Sequence, residues 1–232
     1  MTRNVIITGG TRGIGRAIAS AYAAQGDQVL ATGVETELPA NTENLKFARL
    51  DVRDGEAVEK LANNLLQLDV LINCAGILQR DNREHEVEGF EEVVDVNLLG
   101  TMRCCYACRD LLAKSHGCVL NMASMLTFFG SGPAPAYSAS KGGVAQLTRS
   151  LAIAWADQQV RVNAIAPGWI ETNLTRELTE DSDRSAAIVE RTPLGRWGQV
   201  DDLTGAALFL CSAQAAFITG VILPVDGGYS VR

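Results

Sequence analysis

Thr8-Gly9-Gly10-Thr11-Arg12-Gly13-Ile14-Gly15 follows the apolar run Val5-Ile6-Ile7 and leads into the helical periodicity of residues 13–25. A strand that runs through a glycine-rich turn into a helix leaves the first helical N–H groups unpaired. It also puts the positive end of the helix dipole at the turn. Such a place suits a phosphate, because glycine lets a ligand approach the backbone closely. The spacing is G-x-x-x-G-x-G, not the G-x-G-x-x-G of the common dinucleotide fingerprint. A tight strand-to-helix turn without a ligand has the same local sequence, so the rest of the chain must decide.

Outward from this turn, short β-rich runs alternate with helical patterns. Residues 4–8, 28–32, 45–51, 69–73, 117–122, 160–165 and 220–225 read as strands, most of them continuous apolar runs. Strands of that kind have both sheet faces covered. Helical periodicity occupies residues 13–25, 56–68, 90–114, 137–158 and 201–212. The alternation predicts a single-domain α/β fold over residues 1–232, a doubly wound parallel sheet of about seven strands with helices on both faces. Residues 33–44, which include Pro39, leave room only for a turn or a short helix between the second and third strands.

Composition narrows the function. The net charge is −7 with no basic block, which argues against a nucleic-acid or anionic-membrane partner. No signal sequence and no apolar run of bilayer-spanning length is visible, so a soluble, cytoplasmic protein is expected. The cysteines at 74, 104, 105, 108, 118 and 211 read as free thiols. Cys105-Tyr106-Ala107-Cys108 lies inside a helical pattern, and no second C-x-x-C completes a zinc site. His85 sits in the charged run Arg83-Glu84-His85-Glu86, read as a solvated segment, and His116 precedes Gly117 at a helix end. With only two histidines, no metal centre is expected.

Tyr137-Ser138-Ala139-Ser140-Lys141 places a phenol and an ammonium one helical turn apart, on one face. An adjacent ammonium favours the phenolate and is expected to draw the tyrosine toward neutrality, making a general acid/base. A tyrosine packed on a lysine stem gives the same pattern.

Taken together, Thr8-Gly9, Gly13-Ile14-Gly15, Asn73-Cys74-Ala75-Gly76, Asn97, Ser124, Tyr137, Lys141 and Pro167-Gly168 occur in the order and spacing of one family. The chain resembles the classical short-chain dehydrogenases/reductases over essentially its whole length, through Val225-Asp226-Gly227-Gly228. The resemblance implies a Rossmann-like fold and hydride exchange between a nicotinamide cofactor and a secondary alcohol or ketone. It implies a diphosphate held by Gly9, Thr11, Arg12, Gly13, Ile14 and Gly15, and an adenine contact at Asp51 and Val52. It places Asn73, Ala75 and Gly76 beside the adenosine ribose, with Cys74 where the family has a second asparagine. Pro167 and Gly168 would begin the loop that flanks the nicotinamide, with Ile170 and Thr172 touching its carboxamide and the diphosphate. As implied catalytic groups, Ser124 holds the substrate oxygen and Tyr137 moves the proton. Lys141 tunes Tyr137 and binds ribose, and Asn97 holds a water that links Lys141 to solvent.

Finer expectations follow from the same resemblance. Met122-Ala123-Ser124-Met125-Leu126, Thr172-Asn173-Leu174-Thr175 and Pro193-Leu194-Gly195-Arg196-Trp197-Gly198 look like the branch acting on sugar acids, such as gluconate 5-dehydrogenase. Arg80, just past a cofactor strand, is the candidate for a substrate carboxylate. Acyl-carrier-protein reductases of the family are the runner-up, and a dinucleotide-binding regulator is the non-enzymatic alternative. Residue 33 is glycine where an acid would read the ribose 2′-hydroxyl, and Arg12 could pair a 2′-phosphate, so NADP is favoured over NAD. Glu35 and Glu37 weigh against that choice. Residues 171–198 are polar and expected to form a mobile lid. A homotetramer is expected, with Ala145, Ala152 and Ala154 on candidate interface faces.

Overall fold

A computed structural model describes residues 2–232. One seven-stranded parallel sheet has the order β3-β2-β1-β4-β5-β6-β7. Its strands are β1 (Asn4–Thr8), β2 (Gln28–Gly33), β3 (Leu45–Arg49), β4 (Val70–Asn73), β5 (Cys118–Met122), β6 (Arg161–Pro167) and β7 (Ile222–Val225). The order reverses between β1 and β4, so the two strands diverge into connections on opposite faces. A crevice therefore opens at their carboxyl ends.

The strand sequences show why both faces are covered. Val5 and Ile7 join one core with Ile18 and Tyr22 of α1 (Gly13–Ala24) and Ala207 and Leu210 of α8 (Thr204–Leu210). Ile6 between them faces a second core. That core contains Val58 of α2 (Gly55–Asn63), Leu112 of α4 (Gly100–Ser115) and Leu151 of α5 (Pro135–Ala154). Side chains alternate across a strand, so a continuous apolar run feeds two cores at once.

As the short gap predicts, no helix joins β2 to β3; Phe47 N–H donates to Asn41 Oδ1 at 2.8 Å, and the connection is a turn. Other boundaries differ from the sequence reading. The third strand stops at Arg49, because its partner there, Gly33, is the last residue of β2. The helix expected over residues 90–114 is three segments: α3 (Val87–Val94), a π-helical stretch Asp95–Leu99, and α4. Residues 171–198, expected as a polar loop, include two helices, α6 (Arg176–Glu180) and α7 (Ser182–Arg191). Their few apolar side chains, Leu178 and Ile188, close over Trp197, and Trp169 meets Trp197 edge-on with ring centroids 5.9 Å apart. That small cluster supplies the burial that a polar composition conceals.

Ala145 and Ala152 are buried within the chain, so of the three alanines expected at an interface only Ala154 faces outward. All six cysteines are free thiols, and Cys104, Cys105 and Cys108 are buried along α4. Among the described residues no helix is long and apolar enough to cross a membrane, and no cluster of potential metal ligands occurs.

Candidate active site

The carboxyl ends of β1, β4, β5 and β6 open into one cleft of about 910 Å³. Its floor at β1 is the glycine turn. Gly9 has φ +63°, and a Cβ there would lie 2.7 Å from the backbone of Ala75, so only glycine lets the turn meet the segment after β4. Helix α1 starts at this junction. Its N-cap Arg12 makes no side-chain cap, and its first turn has no acidic residue. Its N-terminal N–H groups are thus left for a ligand, which fits the diphosphate of a dinucleotide.

The cleft brings most of the expected residues together. Gly9, Thr11, Arg12, Gly13, Ile14 and Gly15 line one end, with Asp51 and Val52 after β3 and Ala75 and Gly76 after β4. Ser124, Tyr137, Lys141, Pro167, Gly168 and Ile170 line the rest, Thr172 lies beside Gly13, and Arg80 is at the rim. Asn73 and Asn97 do not line it. Asn73 is buried at the end of β4, where its amide donates to Asn121 Oδ1 at 2.9 Å and to Cys105 Sγ at 3.3 Å. It ties β4 to β5 from within.

Asn97 projects from the π-helical stretch, where the widened turn displaces one residue from ordinary α-helical phase. Its Nδ2 donates to Ile77 O at 2.9 Å and to Ser140 Oγ at 3.1 Å, and its Oδ1 accepts Ile77 N–H at 2.8 Å. A Cβ at Gly76 would lie 3.3 Å from Asn97 Oδ1 and 3.6 Å from Lys141 Nζ. Glycine at 76 therefore keeps open the space that these two polar groups share.

Ser124 caps the short turn after β5, its Oγ accepting Leu126 N–H at 3.2 Å. Tyr137 is the third residue of α5, and Lys141 follows one turn later, with Nζ 5.5 Å from the phenol ring centroid. Lys141 Nζ donates to Met122 O at 2.7 Å, which anchors it to the end of β5.

The electrostatics correct the sequence expectation. Burial pushes the Tyr137 phenol up to about 12; the Ser124 hydroxyl opposes this and the charge of Glu84 adds to it. Burial also brings the Lys141 ammonium down to about 8, against a smaller opposing effect of Cys74. Desolvation thus dominates both groups in the protein alone.

Other cleft residues are already engaged. Arg80 Nη2 donates to Leu174 O at 2.5 Å, and its Nε lies 3.2 Å from Glu177 Oε2, so it ties the segment after β4 to α6. Glu35 accepts from Thr11 Oγ1 at 2.7 Å and pairs with Arg12 Nε at 3.2 Å. Burial raises the Glu35 carboxyl, but the Thr11 hydroxyl, nearby backbone amides and the Arg12 charge together outweigh it and leave it below its ordinary value. Arg184 of α7 lines the cleft, and no carboxylate lies within 4.0 Å of it among the described residues. Glu84, read from the sequence as part of a solvated segment, is 1% exposed. No local pattern marks it, because one of its two partners, Tyr137, comes from 53 residues further along the chain.

Known proteins agree with this geometry. The family model described as enoyl-(acyl carrier protein) reductase matches residues 9–230. A 2-dehydro-3-deoxy-D-gluconate 5-dehydrogenase of Pseudoalteromonas atlantica is 39% identical over 98% of this chain and 95% of its own length. The 3-oxoacyl-[acyl-carrier-protein] reductase of Escherichia coli is 36% identical over 96% of this chain and 95% of its own. A gluconate 5-dehydrogenase from Burkholderia cenocepacia, solved in complex with NADP and tartrate, superposes with a TM-score of 0.91 at 32% identity. That match covers 99% of this chain and 96% of the other. With a doubly wound sheet, a glycine turn at its crevice and a tyrosine–lysine pair in the same cleft, the chain belongs to the short-chain dehydrogenase/reductase family and is an NAD(P)-dependent oxidoreductase acting on CH–OH groups.

Proposed function

We propose that the enzyme interconverts a hydroxyl and a ketone on a sugar acid, with Ser124, Tyr137 and Lys141 as its catalytic residues. The observation that carries this reading is one cleft lined by Ser124, Tyr137 and Lys141 at one end and by the uncapped start of α1 at the other. A nicotinamide cofactor, when bound, supplies or takes the hydride. The Ser124 hydroxyl holds the substrate oxygen. The Tyr137 phenol donates a proton to that oxygen in reduction, and its phenolate accepts one in oxidation. Lys141 holds the ribose and, as a cation beside the ring, favours the phenolate. Asn97 fixes the Ile77 backbone and Ser140 beneath this group. Gly9, Thr11, Gly13, Ile14 and Gly15 hold the diphosphate; Asp51, Val52, Ala75 and Gly76 border the adenosine; Pro167 and Gly168 flank the nicotinamide, and Ile170 and Thr172 touch its carboxamide and the diphosphate, Thr172 lying beside Gly13.

The sugar-acid assignment rests on the dehydrogenase relatives and on cationic groups at the substrate end. Arg184, free of carboxylate partners, meets the substrate carboxylate, and Arg80 holds residues 171–198 over it as a lid. The acyl-carrier-protein reductase relative supports a second reading, which the net charge of −7 disfavours for an acidic carrier. NADP is the preferred cofactor by a small margin. Arg12 is well exposed and its pair with Glu35 is a surface one, so turning to a 2′-phosphate costs little. A Cβ at Gly33 would come 2.3 Å from Glu35 Oε2, so this carboxylate fills the place of the missing acid and limits the preference. The enzyme works as a cytoplasmic homotetramer, with exposed Leu99 of the π-helical stretch, Tyr106 of α4 and Ile153 of α5 at the interface.

The test is a panel of sugar acids, polyols, ketones and 3-oxoacyl thioesters with both cofactors, read at the absorbance of the reduced nicotinamide. Highest kcat/KM on a sugar acid is expected. Turnover of acyl thioesters alone would install the second reading.

A further inference from the structure

Glu84 is buried without a cationic partner. The other buried carboxylate, Asp27, is paired with Arg3 at 2.6 Å, whereas no cation lies within 4.0 Å of Glu84 among the described residues. Its two oxygens are instead divided between two backbone amides. Oε1 accepts Gln79 N–H at 3.0 Å, and Oε2 accepts Tyr137 N–H at 2.8 Å. The second is the backbone of the residue whose phenol moves the proton.

Helix α5 needs this bond. Its N-cap, Ala134, has no side-chain acceptor, and Pro135 at the first position has no N–H. The N–H of Tyr137 is one of the orphans at a helix start, and Glu84 caps it from a distant turn, Arg83–His85. A carboxylate at the start of a 20-residue helix also meets the favourable end of its dipole. The chain is bent to deliver it: Asp81 and Asn82, both non-glycine, have φ +56° and +61° in succession just before the turn. On the other side, Gln79 adjoins Arg80, which holds Leu174 O and Glu177 of the lid segment.

We infer that Glu84 is a positioning residue: a buried, remote cap that fixes Tyr137 in the cleft and ties it to the Gln79–Arg80 segment that carries the substrate lid. The inference rests on the proton-transfer role of Tyr137 proposed above. The Glu84 charge also bears on the Tyr137 phenol, beside whose ring Lys141 Nζ lies 5.5 Å from the centroid, with Cys74 near that ammonium. Removing its charge and weakening its cap therefore have separate signatures. Loss of one amide bond displaces Tyr137 and lowers kcat, while loss of the charge favours the phenolate.

The test uses Glu84→Gln in the full chain, with cofactor dissociation constants by fluorescence titration and kcat for alcohol oxidation against pH. A fall in kcat on the order of tenfold to hundredfold is expected, with cofactor affinity kept within about twofold and the acid limb of the profile moved to lower pH by roughly half a unit. Wild-type kcat with an unmoved limb would overturn the inference, as would a loss of kcat matched by an equal loss of cofactor affinity with no movement of the limb. If Glu84→Gln does not fold, Glu84→Asp keeps the charge but cannot span both amides. A lower kcat with an unmoved limb then supports the inference, and wild-type kcat overturns it. An active Tyr137→Phe enzyme would instead sink the proton-transfer reading, which distinguishes the two failures.

Discussion

Lys141 Nζ donates to the carbonyl oxygen of Met122 at 2.7 Å, joining the second turn of α5 to the end of β5. The ammonium is 3% exposed, and burial brings it down to about 8. A lysine whose folded pKa lies below its unfolded one destabilises the fold at low pH. The penalty is complete below pH 8 and vanishes as pH rises toward the unfolded value near 10.5. Lys141→Met should therefore be inactive yet more stable than wild type, by on the order of 1–2 kcal/mol at pH 7 after loss of the Met122 bond. Urea denaturation at pH 7 and pH 10 checks this. The gain should shrink at the higher pH, and a variant less stable at both would refute it.

Tyr137→Phe removes the proton but keeps the ring. Turnover should fall by about three orders of magnitude or more, with cofactor affinity nearly unchanged, as measured by initial rates and fluorescence titration. In the wild type, burial holds the phenol protonated, up to about 12 without cofactor. Alcohol oxidation, which needs the phenolate, should accelerate as pH rises from 6 to 8, while ketone reduction should not.

Glu35→Gln should shift cofactor choice. The carboxylate holds Arg12 and fills the space beside Gly33, so removing its charge frees the guanidinium for a 2′-phosphate. The ratio of kcat/KM with NADP to that with NAD should rise about tenfold, equivalent to ~1.4 kcal/mol. Measured dissociation constants for the two oxidised cofactors should move the same way. An unchanged ratio would remove Glu35 from cofactor choice.

Arg184→Ala tests the substrate end. With a sugar acid, KM should rise on the order of tenfold or more, as expected for a lost charge-assisted hydrogen bond. With a neutral polyol, KM should stay within about twofold. Equal effects on both substrates would show that Arg184 shapes the lid rather than meeting a carboxylate.

The parts of the fold legible in the sequence are those with local causes. Most of the seven strands were legible as short, bounded apolar runs, because a strand covered on both faces has no freedom to be polar, whereas the edge strand β3 keeps exposed Lys46 and Arg49. The glycine turn was legible because a close approach such as that of Gly9 to Ala75 excludes every side chain. The π-helical stretch at Asn97 was not legible. An inserted residue in a helix leaves both flanking periodicities intact and shows only as a change of phase.

Sequence alone determined the sheet, its parallel character, the turn at α1 and the pairing of Tyr137 with Lys141, since each depends on residues within a few positions of one another. Tertiary structure alone decided what those groups experience. Burial from several elements, not the adjacent lysine, dominates the Tyr137 phenol. Glu84, in a run that reads as solvated, becomes the cap of a helix that starts about 50 residues later in the chain. Hydrogen bonds and desolvation depend on distance in space, and a linear pattern of residue types carries that distance only where the partners are close in the chain.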